Sequence, residues 1–158
     1  MIDWRKGAVA GAAAGAVTAI PMAAQSVAGM HPEFDLLRIM GFGLDGAAGP
    51  ALGLALHLIV STALGAGFAA IARKLPGGTC EARGVIFAVA VWLAAMMLAA
   101  PAAGAGLFAL EAGMYAPLWS LVLHAIFGAT LGFVFARRKG HWREGSRPAE
   151  GALRYTHY

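Results

Sequence analysis

Charge is what this sequence has least of. Only 13% of its 158 residues are Asp, Glu, Lys or Arg, while 59% are hydrophobic; soluble domains carry roughly 25% charged residues. That balance excludes a disordered chain, a nucleic-acid-binding module and an ordinary water-soluble enzyme. Cysteine is nearly absent too. The single Cys80 excludes a disulfide framework and any Cys-cluster metal site. No P-loop, dinucleotide fingerprint or H-E-x-x-H occurs, and no Ser/His/Asp set can be placed together, so no catalysis is expected. Period-two alternation is missing, which argues against a transmembrane barrel.

Long apolar runs are what remains. Four stretches, residues 7–30, 47–72, 84–107 and 116–136, are each long enough to cross about 30 Å of hydrocarbon as a helix of about 20 residues. Backbone polar groups in lipid must be satisfied within their own segment. The expected fold is therefore all-α: a transmembrane domain over residues 1–136 and a basic tail over 137–158. The first run follows Arg5-Lys6 and also resembles a secretory signal, with Ser26-Val27-Ala28 passing as a cleavage site; it is read here as a retained helix. It is mostly alanine and glycine, so it is expected to pack centrally or against a partner. The third run, with Ile86, Phe87, Trp92, Leu93, Met96 and Met97, is the most lipophilic. Residues 32–41 combine Phe34, Leu36, Leu37, Ile39 and Met40 with Glu33, Asp35 and Arg38, which predicts a short interfacial helix on the outer surface.

Charge placement sets the orientation. With both termini cytoplasmic, eleven basic residues lie inside and only Arg38 lies outside, a strong positive-inside bias. The whole net charge of +4 resides in the tail, through Arg137, Arg138, Lys139, Arg143, Arg147 and Arg154. Those six residues are expected to contact anionic lipid, each contributing about 1 kcal/mol near the surface, or to hold a partner subunit.

The second and fourth runs repeat one another at an offset of 67 residues. Pro50 matches Pro117, Leu54 matches Leu121, Leu56-His57 matches Leu123-His124 and Ile59 matches Ile126. Leu64-Gly65 matches Leu131-Gly132, and Phe68-Ala69 matches Phe135-Ala136. Positions 50, 54, 57, 61, 64, 65 and 68 and their partners 117, 121, 124, 128, 131, 132 and 135 share one helical stripe, so two repeated hairpins are expected, related by a pseudo-twofold along the membrane normal, with the stripes meeting across the axis. Gly7, Gly11 and Gly15 form a G-x-x-x-G-x-x-x-G face in the first run. With Gly65, Gly128 and Gly132 they are the expected positions of close helix packing.

His57 and His124 are the only ionisable side chains well inside the spans, which makes them the candidate site. Three readings compete. They are helix–helix glue, hydrogen-bonded to each other or to Thr62, Ser120 or Gln25. They are axial ligands of one haem b, with Arg38 the one cation placed for the propionates. Or they assist an outer-face copper site built from His31, Met30, Met40 and Met114. Haem requires the two helix axes to stand wider than the usual contact of about 8–10 Å.

The paired Leu-His-x-Ile and Leu-Gly segments, with the acidic first outer loop from Glu33 to Gly43, resemble a group of small four-span bacterial inner-membrane proteins of unknown function. The resemblance implies the four-span fold and adds nothing about activity. The expectation carried forward is a non-catalytic, multi-pass accessory or assembly subunit of a larger inner-membrane complex, most plausibly respiratory or electron-transferring. Its partners are membrane lipids and other membrane subunits or further copies of itself, with no nucleic acid. Haem b electron transfer is the alternative and copper handling the third reading.

Overall fold

The computed structural model describes residues 2–137. Arg138, Lys139, Arg143, Arg147 and Arg154, assigned above to lipid or partner contact, lie outside the described residues. The described chain is all-helical, with no strand, and carries four helices long and apolar enough to cross a membrane. Helix α1 spans Trp4–Ala28. A 3-10 turn at Pro32–Phe34 and the short α2, Leu36–Met40, precede α3, Ala48–Ile71. Helix α4, Cys80–Ala94, continues through a π turn at Ala95–Ala99 into α5, Ala100–Ala102. A second 3-10 segment, Leu107–Ala112, leads to α6, Tyr115–Arg137.

Local chemistry explains the boundaries. The Asp3 carboxylate caps α1 by accepting from Lys6 N–H at 3.1 Å. At the other end Gly29 adopts the left-handed conformation (φ 62°), and Met30 N–H reaches Gln25 O at 3.2 Å, the closing bond of a Schellman motif. Thr79 caps α4 through Ala82 N–H. Pro50 and Pro117 both fall in the first turn of their helices, where a missing N–H leaves no bond unmade. The third span ends at Ala102, short of the expected residue 107, because Gly104 turns left-handed (φ 77°) just after it.

Packing follows the small residues. Helices α1 and α3 form one antiparallel hairpin, α4 and α6 a second, and α1 also packs on α6. In the first hairpin a Cβ placed on Gly7 would strike Gly65 O, one on Gly11 would strike Ser61 O, and one on Gly15 would lie 2.6 Å from Ser61 Cβ. In the second, a Cβ on Gly84 would strike Gly128 O and one on Gly132 would strike Cys80 O. All six expected packing glycines thus sit at helix crossings. Gly53 does so as well, closing on Leu37 O of α2, and Gly41 closes on Gly49 O. Bare backbone against backbone maximises dispersion contact where lipid removes the hydrophobic drive for helices to associate.

Helix α1 is the least apolar of the four and, with α6, the more buried; α4 through α5 forms the most apolar span and, like α3, has few fully buried residues. The expected meeting of the α3 and α6 stripes is made through side chains: the Phe68 ring meets Phe135 edge-on at 5.4 Å, and Phe68, Leu131 and Phe135 share one core cluster. The two backbones do not pack along each other, because the Ala/Gly face of α1 admits α3 more closely than the bulkier α6 side chains can. The 32–41 segment is also more deeply engaged than a surface helix. Phe34 and Leu37 are buried, and Gln25 Nε2 of α1 donates to Phe34 O at 2.7 Å.

Candidate functional site: a chamber carrying two imidazoles

The rise from Pro50 to His57 is seven residues, about 10 Å of helix, so His57 lies well inside α3; His124 lies at the same depth from Pro117 in α6. Both rings line one chamber of about 400 Å³ between the two hairpins. Its wall is almost wholly aliphatic and aromatic: Met22 of α1, Phe34 and Ile39 over one end, Leu64 of α3, and Leu123 and Phe127 of α6. The α4–α5 side is paved with Ala95, Met96, Ala99 and Ala100, and Ala103, Ala105 and Ala109 continue it. Among the polar lining groups are Thr18, Ser61 and Ser120; no lining residue is charged at neutral pH. Exposed Ile39 and Val60 stand at its edge.

The hydrogen bonds assign each imidazole. His57 Nε2 lies 3.1 Å from Gly15 O and 3.1 Å from Thr18 Oγ1. A carbonyl only accepts, so Nε2 carries the proton and donates to α1, while the Thr18 hydroxyl donates to Ala14 O at 3.1 Å. His124 Nδ1 lies 2.8 Å from Ser120 O, one turn back in its own helix. That nitrogen therefore donates, which leaves Nε2 unprotonated. Ser120 Oγ accepts from Trp92 Nε1 at 3.0 Å and offers its own proton to Pro117 O at 3.1 Å or Met96 Sδ at 3.8 Å.

The two histidines share the chamber, but they do not bond to each other. Of the expected glue partners, only Ser120 serves, through its backbone. Thr62 instead bonds Leu58 O and Gln25 bonds Phe34 O. Thr18 and the Gly15 carbonyl, the true partners of His57, are not visible as such in the sequence. Small residues flanking Thr18 on α1 are the one signal that a long polar ring from α3 could reach its backbone.

Two backbone irregularities fall in the same wall. The π turn at Ala95–Ala99 faces the chamber through Ala95, Met96 and Ala99. In the same wall, buried Ala109 and its neighbour Phe108 are left-handed, at φ 56° and 57°. For residues with a Cβ, that conformation costs about 1–3 kcal/mol and persists only where the surroundings enforce it. Inserted π turns likewise concentrate at functional sites.

Haem b does not fit these residues. Its propionates need cationic or strongly donating partners, and no lysine or arginine lines the chamber. Arg38 is held by Asp35 at 3.3 Å, and His57 Nε2 is committed to α1. The outer-face copper set is also dispersed. His31 pairs with Glu33 at 3.0 Å and stacks on Tyr115 at 3.8 Å between ring centroids. Met40 lines the chamber, while Met30 and Met114 are exposed. Among the described residues no group of three or more His, Cys, Asp or Glu side chains is placed to hold a metal ion. Of the tail cations, Arg137 is described, lying over the Phe133 ring at 4.2 Å.

Four spanning helices enclosing an apolar chamber define a multi-pass helical membrane protein. The chain belongs to a family described as a family of unknown function (DUF6789), whose profile matches residues 1–144. No curated protein and no solved structure matches it.

Proposed function

We propose that this chain is a non-catalytic binding protein of a bacterial-type inner membrane, with both termini cytoplasmic, that holds a lipophilic molecule as an accessory subunit of a larger membrane assembly. The observation that carries the binding role is the chamber. It pairs about 400 Å³ of neutral, apolar space with a few convergent polar groups, the usual make-up of a small-molecule site. The bias of eleven basic residues to one face supports the orientation. The weakly lipophilic α1 and the basic tail support the accessory role.

Solvent extraction of the detergent-purified protein, followed by mass spectrometry, tests the binding role. The wild type is expected to carry a lipophile at near-equimolar amount, and Ala95→Phe, which fills the chamber wall, is expected to lose most of it. Identical extracts from both proteins would overturn the reading.

A further inference from the structure

The chamber's hydrogen-bonding capacity is one-sided. The protons of Thr18, His57 Nε2, His124 Nδ1 and Ser120 are all committed to protein acceptors. The Ser61 hydroxyl lies at the α1–α3 seam, where a Cβ on Gly15 would stand 2.7 Å from it, and borders the chamber there. Like His57 Nδ1, which the Nε2 proton leaves as an acceptor, His124 Nε2 has no hydrogen-bond partner among the described residues, and it is an acceptor. Turning it into a donor would move the proton off Nδ1 and set that nitrogen's lone pair against Ser120 O at 2.8 Å. The backbone carbonyl one turn back therefore locks the tautomer, as a second partner does for a ring whose other nitrogen is in use.

A site of this kind selects its occupant by chemistry. The absence of charged lining residues calls for a neutral molecule, since an unpaired charge in such space is strongly disfavoured. The small alanine side chains between Ala95 and Ala109, with Phe34 and Phe127 in the same lining, leave room for a ring. These ring acceptors call for an O–H donor at the end of that ring. We propose that the chamber binds a neutral lipophile whose head is an aryl hydroxyl, with the hydroxyl donating to His124 Nε2. This inference rests on the binding role proposed above and adds the class of ligand.

Equilibrium binding of 4-octylphenol and of its methyl ether, 4-octylanisole, to the full-length protein in lipid nanodiscs tests it. The two probes share shape and apolar area, and only the phenol donates. The phenol is expected to bind about tenfold more tightly, the effect of leaving one buried acceptor without its donor. In His124→Phe the preference is expected to vanish while ether binding persists, and His124→Gln, which restores an acceptor, is expected to recover part of it. Equal binding of the two probes to the wild type would overturn the aryl-hydroxyl assignment and leave the chamber a binding site. Failure of both probes to bind would overturn the binding role itself. The wild-type comparison needs no variant, so a misfolded His124 substitution cannot obscure the result.

Discussion

The crossing of α1 and α3 makes a sharp prediction, because two glycines on one helix face opposite surroundings. A Cβ on Gly65 would lie 2.5 Å from Gly11 Cα and 2.6 Å from Gly11 N, and it would also strike Gly7 O. Carbon atoms rest at about 3.5–4.0 Å, so Gly65→Ala must push α1 away by about 1 Å along the whole seam. Nothing lies within 4 Å of a Cβ on Gly67, two residues further on. Overpacking typically costs about 1–3 kcal/mol, against a gain in helix propensity of up to about 1 kcal/mol for Gly→Ala. The net expectation is a loss of about 1–2 kcal/mol at Gly65 and no loss, or a small gain, at Gly67. Unfolding in mixed micelles with rising dodecyl sulfate, followed by tryptophan fluorescence, reads both variants against the wild type. Equal stability of Gly65→Ala and Gly67→Ala, or a more stable Gly65→Ala, would refute the backbone-contact account of this hairpin.

His57→Leu removes bonds from His57 Nε2 to Gly15 O and Thr18 but keeps the ring's bulk partly filled; interhelical bonds in membranes average about 0.6 kcal/mol, so the same unfolding assay should show a loss below about 1.5 kcal/mol, and a loss above 3 kcal/mol contradicts a glue role. Deleting residues 143–158 removes Arg143, Arg147 and Arg154. At about 1 kcal/mol each, the shortened protein should show much weaker surface attraction to anionic vesicles and poorer co-purification of partner subunits, and unchanged co-purification counts against the accessory role. Asp3 is held below its ordinary value of 3.8, chiefly by the Lys6 backbone N–H and then by the Lys6 side chain. A carboxylate with a lowered folded value stabilises above the ordinary range and loses that contribution as pH falls through the folded value. Trp4 fluorescence in the wild type should therefore show α1 fraying only under acid conditions, and Asp3→Ala should flatten that transition; an unaltered acid response would remove Asp3 as the cap.

How much was legible follows from the kind of signal each element leaves. The four spans stand out because lipid demands long runs of apolar residues, and the packing glycines because their i, i+4 spacing marks one face of α1. The depth of His57 and His124 follows from their distance to Pro50 and Pro117. What the sequence leaves hidden is tertiary choice. The α3 and α6 stripes meet through side chains such as Phe68 and Phe135 while the close backbone packing of α3 goes to α1, since stripe patterns say which faces are sticky but not which neighbour comes closest. Thr18 reads as an unremarkable hydroxyl until the ring of His57, from 39 residues away, is laid against it. The irregular backbone at Ala95–Ala99 and Phe108–Ala109 leaves almost no trace beyond Pro101 and the glycines after it, since alanine and methionine suit an ordinary helix equally well.

The π turn makes the chamber a matter of counting residues. It inserts one extra residue into a turn of helix, and Trp92 and Met96 on either side of its start are both tied to Ser120 of α6. Wound as a regular α-helix without that widened turn, the same residues would carry everything downstream round by about 100°, the angle of one residue in a helix of 3.6 residues per turn. Ala100 and the segment beyond it would then swing off the chamber wall, with no lining side chain having been substituted. The widened turn, rather than any one lining side chain, is therefore what keeps this stretch of wall against the cavity.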